Sequence, residues 1–408
     1  MQRSALILPA RRGLRLSLAV MIAGILFSIA LSSVAFVVVG VCFALLVAGE
    51  GRAALRRSGL EYPMLVWAAA VLVMVVFAMY PASSLLSAKR LLLLLIVFIL
   101  PAAFTDARSL RWLLLVLAIT AGLQSLVGIV QHLWAGSERL GLFQHYMTGG
   151  GMRMLLLLLF LPLLFDPETP RRERTLLIAA ATLMLVALLF TMTRSSWLGF
   201  AAGALLIAVL RYRLLLPVLA GGVVLLFLLA PQQYRDRLGM MFTTQKSELR
   251  GEAQGEAVVQ SNQARLRMWR TGWQMFLEHP VTGVGDGEMH AIYRTYVPDA
   301  IKDEGGHLHN TYIHVLATHG VIGAAALLLL LGAVGLRLWR SWRRHRGNAA
   351  GTLVLGAIAA FVGFLVNGMA EYNFGDHEIV LLLWTVVGIA LTAESVAFRW
   401  SDTKTERV

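Results

Sequence analysis

The sequence predicts an all-α polytopic membrane protein, with about twelve transmembrane helices and one large external loop. Three observations predict it. Hydrophobic residues make up 58% of the chain and the mean hydropathy is +0.71, beyond what a soluble domain carries. Apolar runs of bilayer-spanning length recur from end to end. Arginines fall in every alternate gap between those runs, which is how topology signals are distributed. The net charge of +13 is therefore spent on orientation. No basic patch with interleaved aromatics appears, which excludes a nucleic-acid partner and leaves membrane lipid as the surrounding medium. The single cysteine, Cys42, lies inside an apolar run, so neither a disulfide nor a thiolate metal cage is expected.

Taken in order, the spans fall near 15–31, 33–48, 62–80, 89–104, 112–134, 151–165, 175–192, 195–210, 213–230, 311–336, 351–370 and 378–398. The first two suit a tight or tilted hairpin, and the sixth and eighth are short enough to be partly interfacial. Basic residues before the first run, without a small-residue cleavage site, predict a retained first helix. Arg11 and Arg12, Arg56 and Arg57, Arg108 and Arg111, Arg171 and Arg172, Arg211 and Arg213, Arg343 and Arg344, and Lys404 and Arg407 occupy successive alternate gaps. With these inside, both termini are cytoplasmic and the long loop faces out. The organisation is one integral membrane domain: spans one to nine over 1–230, the external loop over 231–310, and three more spans with a cytoplasmic tail over 311–408.

Within the loop, Gln245 to Gln263 is polar and rich in Gly, Glu and Gln, and is expected to be mobile. From Arg265 to Leu277 the pattern turns helical, with Leu266, Trp269, Trp273 and Phe276 on one face. Tryptophan on that face suits a helix lying on the outer membrane surface. The run Gly283-Val284-Gly285-Asp286-Gly287 reads as a turn; no strand precedes it, so it is no dinucleotide fingerprint.

Chemistry is expected where Gly306-His307-Leu308-His309-Asn310-Thr311-Tyr312 enters the tenth span. Ionisable groups at a helix mouth in a membrane are costly and so are functional candidates. Asn310 or Thr311 can cap the helix. Its free N–H groups and positive dipole end favour an anion such as phosphate. That dipole also disfavours imidazolium, leaving His309 able to accept a proton. Five further cations sit on the outer side, against the topology bias: Lys89 and Arg90, Arg153, Arg194 in the turn Thr193-Arg194-Ser195, and Arg265. Arginine's fork binds phosphate oxygens in pairs, and a diphosphate needs several such donors. Lys89 and Arg90 equally suit headgroup contacts. His314 and His319 read as packed or hydrogen-bonded within the bundle, and Gly320 and Gly323 as close-packing residues. His145 and Tyr146 face either a sugar site or the interface. Glu371, Asp376, His377 and Glu378 fall in the last outer loop and read as solvated. His307, His309, His314 and His319 raise a metal site, but His309 and His314 are five apart and no carboxylate triad accompanies them, so no metal is expected.

His309-Asn310 followed by Gly320 and Gly323 resembles the motif of the bacterial O-antigen ligases and the related O-antigen polymerase superfamily. Arg194 in its outer turn, Arg265 upstream of Trp269, and His279-Pro280-Val281-Thr282-Gly283-Val284-Gly285 strengthen the likeness, which spans roughly residues 60 to 390. The resemblance implies a GT-C-like glycosyltransferase architecture in the bacterial inner membrane, with its active site facing the periplasm. It implies transfer of an O-antigen glycan from undecaprenyl diphosphate to a sugar hydroxyl of lipid A–core, without nucleotide, metal or other cofactor. In that reading His309 is the general base, and Arg194 and Arg265 hold the diphosphate, aided by Arg153, Lys89 and Arg90. Asn310, Tyr312, His307 and Trp269 orient substrate. A polymerase would use the same donor with a second lipid-linked glycan as acceptor. A transporter would instead place charges near the midplane of its helices, and these spans are nearly free of charge.

Overall fold

The computed structural model describes residues 2–229, 252–298 and 305–400, and among these the regular elements are all helical. In chain order they begin with α1 (Gln2–Gly24), α2 (Ile29–Glu50) and α3 (Glu61–Phe77). The fourth span, expected from residue 89, starts earlier and comes in three pieces: α4 (Pro81–Ser87), a 3₁₀ stretch (Ala88–Leu95) and α5 (Ile96–Ala103). Then follow α6 (Ala107–Ala135), α7 (Tyr146–Phe165), α8 (Arg171–Phe190), α9 (Arg194–Leu210) and α10 (Leu215–Leu229). Next come α11 (Glu252–Glu278) and the short α12 (Met289–Tyr296). The chain returns through α13 (Thr311–His345), α14 (Ala349–Asn367) and α15 (His377–Ser395). Eight of these segments, counting Pro81–Ala103 as one, are long and apolar enough to cross a membrane, and α3 and α9 are shorter apolar helices. The protein is a multi-pass helical membrane protein.

Burial locates the centre. Helices α14 and α15 are buried almost all round, as is α7, which is longer and more central than the partly interfacial span expected there. Small residues let these helices approach backbone to backbone. A Cβ on Gly356 of α14 would stand 2.3 Å from Leu159 O of α7, and one on Gly203 of α9 would stand 2.6 Å from Ala359 O of α14.

At one end of the bundle, residues that mark topology also tie helices together. Arg15 reaches Ala103 O and Asp106, Arg11 pairs with Glu50, Arg111 with Glu173, and Arg337 with Glu394 and Ser58 O. The other end carries the polar cavity, and what builds it is a break in α13.

At Gly320 the backbone adopts φ 60°, ψ −162°, a region open essentially to glycine alone. In an unbroken helix Val321 and Ile322 would donate to Ala317 O and Thr318 O. Here the turn after α11 takes over all four groups. Val284 N and Gly285 N donate to Ala317 O and Thr318 O, both at 2.9 Å, while Val321 N and Ile322 N donate to Pro280 O at 2.8 Å and Val281 O at 3.3 Å. Met79 N bonds Val284 O from the far side. The external segment is thus threaded into the broken helix and held against α3. Gly320 is not the simple close-packing residue that its spacing predicts. A Cβ there would lie 2.4 Å from Val281 C, and one on Gly283 would lie 2.2 Å from Thr318 C.

The helix expected over Arg265 to Leu277 exists, but it begins at Glu252, so part of the Gln245–Gln263 stretch is helical. Residues 245–251 lie outside the described residues.

Candidate active site

A cavity of about 810 Å³ opens at the N-terminal end of α13, lined among others by Arg90, Arg265, Arg267, His307, His309 and Glu371. Asn310 caps α13: its Oδ1 accepts from Tyr312 N and Ile313 N, each at 3.0 Å, and its Nδ2 donates to Met369 O at 2.8 Å. Thr311 N and Oγ1 donate to Gly368 O and Glu371 O. One cap therefore fixes two things, the start of α13 and the turn that follows α14. His309, immediately before the cap, is held at φ 46°, a conformation that non-glycine residues seldom adopt. Trp269 Nε1 donates to His309 O at 3.4 Å and supports that turn from α11.

The imidazole of His309 meets a carboxylate. His309 Nδ1 lies 2.9 Å from Glu371 Oε1. An ionised carboxylate only accepts, so Nδ1 carries the proton of this bond. Burial alone would raise the Glu371 carboxyl, but the hydrogen bond and charge of His309, with Arg265 behind it, hold it below the ordinary glutamate range. Arg265 Nη2 stands 3.6 Å from Glu371 Oε2. His307 packs edge-on against His309, with ring centroids 4.2 Å apart. Burial, then its histidine neighbour, pushes His307 down to about 4, so it is uncharged near neutral pH.

Beside this pair lies a second buried set. Asp286 Oδ2 accepts from Arg90 at 2.8 Å, and Asp286 Oδ1 is 3.1 Å from His314 Nε2. Leu308 N donates to His314 Nδ1 at 3.4 Å, which makes Nε2 the protonated nitrogen facing Asp286. The Tyr372 ring stacks on His314 at 3.6 Å. Burial would raise Asp286, but Arg90 and His314 hold it well below the usual carboxylate range. Burial and the charge of Asp286 push the Tyr372 hydroxyl up.

Several residues expected in the site are placed elsewhere. Arg153 is buried on α7, with its fork turned to Gln124 Oε1 at 2.8 Å and Ser125 Oγ at 3.4 Å; it is not among the lining residues. Tyr312 donates its hydroxyl to Leu365 O at 2.9 Å and so braces α13 on α14. Lys89 is exposed, and Arg90 is committed to Asp286. Arg194 opens α9 and reaches α11 by donating to Asn262 Oδ1 at 2.7 Å, three residues before Arg265 on the same helix. His145 and Tyr146 do line the cavity. His314 and His319 are buried and bonded, His319 to Thr318 Oγ1 and stacked on Trp67.

The last outer loop corrects the sequence reading most. Glu371 and Glu378 are each only 8% exposed, not solvated. The carboxylate partner missed beside the histidines is Glu371: His307, His309 and Glu371 each offer one atom within 4.8 Å of the others, close enough for a cation. The guanidinium of Arg265 beside the same carboxylate supplies positive charge there already, and His309 Nδ1 is already bonded to Glu371 Oε1. Sixty-two residues separate the partners, and only an acidic residue in a short loop between two apolar spans hinted at the pairing.

Residues 179–328 match a family model described as O-antigen ligase. The matched segment holds Arg194, Arg265, Trp269, the 280–285 turn, His309 with its cap, and the break at Gly320. That segment is similar to the O-antigen ligases. A curated protein, the teichuronic acid biosynthesis protein TuaE of Bacillus subtilis (strain 168), is 25% identical over 223 residues. That match covers 51% of this chain and 42% of TuaE. Within the matched segment lie His309 and Arg265, which face Glu371, while Glu371 itself falls beyond it.

Proposed function

We propose that the protein is an O-antigen ligase, transferring an O-antigen glycan from undecaprenyl diphosphate to a sugar hydroxyl of lipid A–core at the periplasmic face of the inner membrane. The observation that carries this reading is His309, its Nδ1 held by Glu371 Oε1, sharing one cavity with Arg265. Arg265 binds the donor diphosphate, with Arg194 of α9 bonded to Asn262 one turn earlier on α11, and both stabilise charge on the leaving group. His309 Nε2 takes the proton of the acceptor hydroxyl. The acceptor oxygen bonds to the anomeric carbon from the face opposite the diphosphate. The bond from that carbon to the diphosphate oxygen breaks, and its electron pair leaves on undecaprenyl diphosphate. Configuration inverts. No step needs a metal. Asn310 and Trp269 hold His309 in place.

Purified protein in detergent with undecaprenyl-diphosphate glycan and lipid A–core, in EDTA and without nucleotide, is expected to give lipopolysaccharide of lower mobility. His309→Ala is expected to lose at least about 100-fold in rate. The relationship to TuaE, whose name places it in teichuronic acid biosynthesis, favours one second reading, in which a lipid-linked glycan is the acceptor. Longer lipid-linked glycan without lipopolysaccharide product would decide for that polymerase.

A further inference from the structure

Glu371 sits between the two working parts of the cavity, and its two oxygens are unequally engaged. Oε1 accepts from His309 Nδ1 at 2.9 Å. Oε2 is buried with no hydrogen-bond partner, and Arg265 Nη2 lies 3.6 Å from it, near enough for charge attraction but too far for a hydrogen bond. The other titratable groups near Glu371 are His307, with Nδ1 4.0 Å from Oε1, and the adjoining Tyr372. Beyond Tyr372 the charge of Asp286 is already met by Arg90 and His314. Asp376 and Arg267 line the cavity wall.

We propose that Glu371 is a positioning residue that couples donor binding to the strength of the base: it pairs with Arg265 and His309 together in the empty site, and acts on His309 alone once a diphosphate takes the guanidinium. This rests on the assignment of His309 as base and Arg265 as diphosphate ligand. In the empty site the guanidinium offsets much of the carboxylate's charge, so the imidazolium is poorly stabilised. An arriving diphosphate offers Arg265 paired oxygens at hydrogen-bond distance, which the carboxylate does not. The charge of Glu371 then falls on His309 undiminished, at the moment when a proton has to be accepted.

The test measures two quantities on the full chain in detergent: affinity for undecaprenyl diphosphate, and kcat for glycan transfer at saturating donor. Glu371→Gln keeps the shape and an oxygen for His309 Nδ1 but removes the charge. It is expected to bind undecaprenyl diphosphate at least as tightly as wild type, because Arg265 no longer leaves a carboxylate, while kcat falls about 100-fold. Glu371→Asp, which restores the charge on a shorter arm, is expected to recover about tenfold of that loss. A merely structural role would weaken binding and turnover together, and that result overturns the proposal, as does wild-type kcat in Glu371→Gln. If Glu371→Gln does not fold, Glu371→Asp carries the test: reduced kcat with retained donor affinity supports the coupling, and parallel loss of both overturns it. Wild-type binding that depends on Arg265 while Glu371→Gln keeps full turnover sinks the coupling alone. Wild-type protein that does not bind undecaprenyl diphosphate sinks the assignment of the site, and the coupling with it.

Discussion

At the scale of single residues, the site is a set of side chains whose partners fix their chemistry. His309 and His314 are both imidazoles against carboxylates, yet they face opposite duties. His314 is sealed on both nitrogens, by Leu308 N and Asp286, and holds structure. His309 is bound through Nδ1 and lines the cavity, where it can do chemistry. His307 gives a pH prediction. Its folded value is about 4, against an ordinary value near 6.5, so the unfolded chain binds its proton first as the pH falls. Stability from this group is complete above about pH 6.5 and is lost between there and about pH 4. Thermal unfolding in detergent across that window should show the decline, and His307→Gln should flatten it. A variant whose curve has the wild-type slope would refute the assignment.

At the scale of elements, the break in α13 is the main structural device. Thr311–His345 would run roughly 50 Å as a straight helix, well beyond the bilayer core. The break lets the outer turn of α13 leave the line of the span and present its N-terminus to the cavity. The carbonyls of Ala317 and Thr318 and the N–H groups of Val321 and Ile322 all find partners in the 280–285 turn, so the break is a joint and not a defect. Gly320→Ala adds a strained backbone and a Cβ 2.4 Å from Val281. It is expected to cost about 3 kcal/mol or more, read as a lowered thermal midpoint and loss of transfer. A variant with the wild-type midpoint would show that the joint is more pliant than this geometry allows. The spacing of Gly320 and Gly323 was legible in the sequence. The threading of a distant turn through the helix was not, because nothing local to residues 311–345 marks which backbone groups lose their partners.

At the scale of the whole molecule, Asp286 links three regions that the chain separates widely: the 3₁₀ stretch through Arg90, α13 through His314, and the turn between α11 and α12 that carries it. Breaking a buried pair leaves a charge uncompensated. Asp286→Asn is expected to destabilise the protein by about 3 kcal/mol, measured by chemical or thermal unfolding. Because Arg90 and Tyr372 line the cavity as well, donor affinity should weaken with it. A loss of stability without any change in donor affinity would separate this set from the site.

What the sequence determined by itself was everything that depends on local composition and period. Apolar runs give helices, the arginines of alternate gaps give a consistent end-to-end arrangement, and a short-range cap at Asn310 starts α13. His309 and Arg265, which line the cavity, stood out in the sequence because residue type and position at a helix mouth or in a loop are themselves unusual in a membrane chain. Tertiary structure alone decided which polar groups meet. Arg153, Tyr312 and Glu371 show why. Each is a costly group in an apolar setting, and each must find a partner. The partner is whatever the packing brings near: Gln124 for Arg153, Leu365 O for Tyr312, His309 for Glu371. Helix periodicity records the need for burial, but it does not encode the identity of a hydrogen-bond partner tens of residues away.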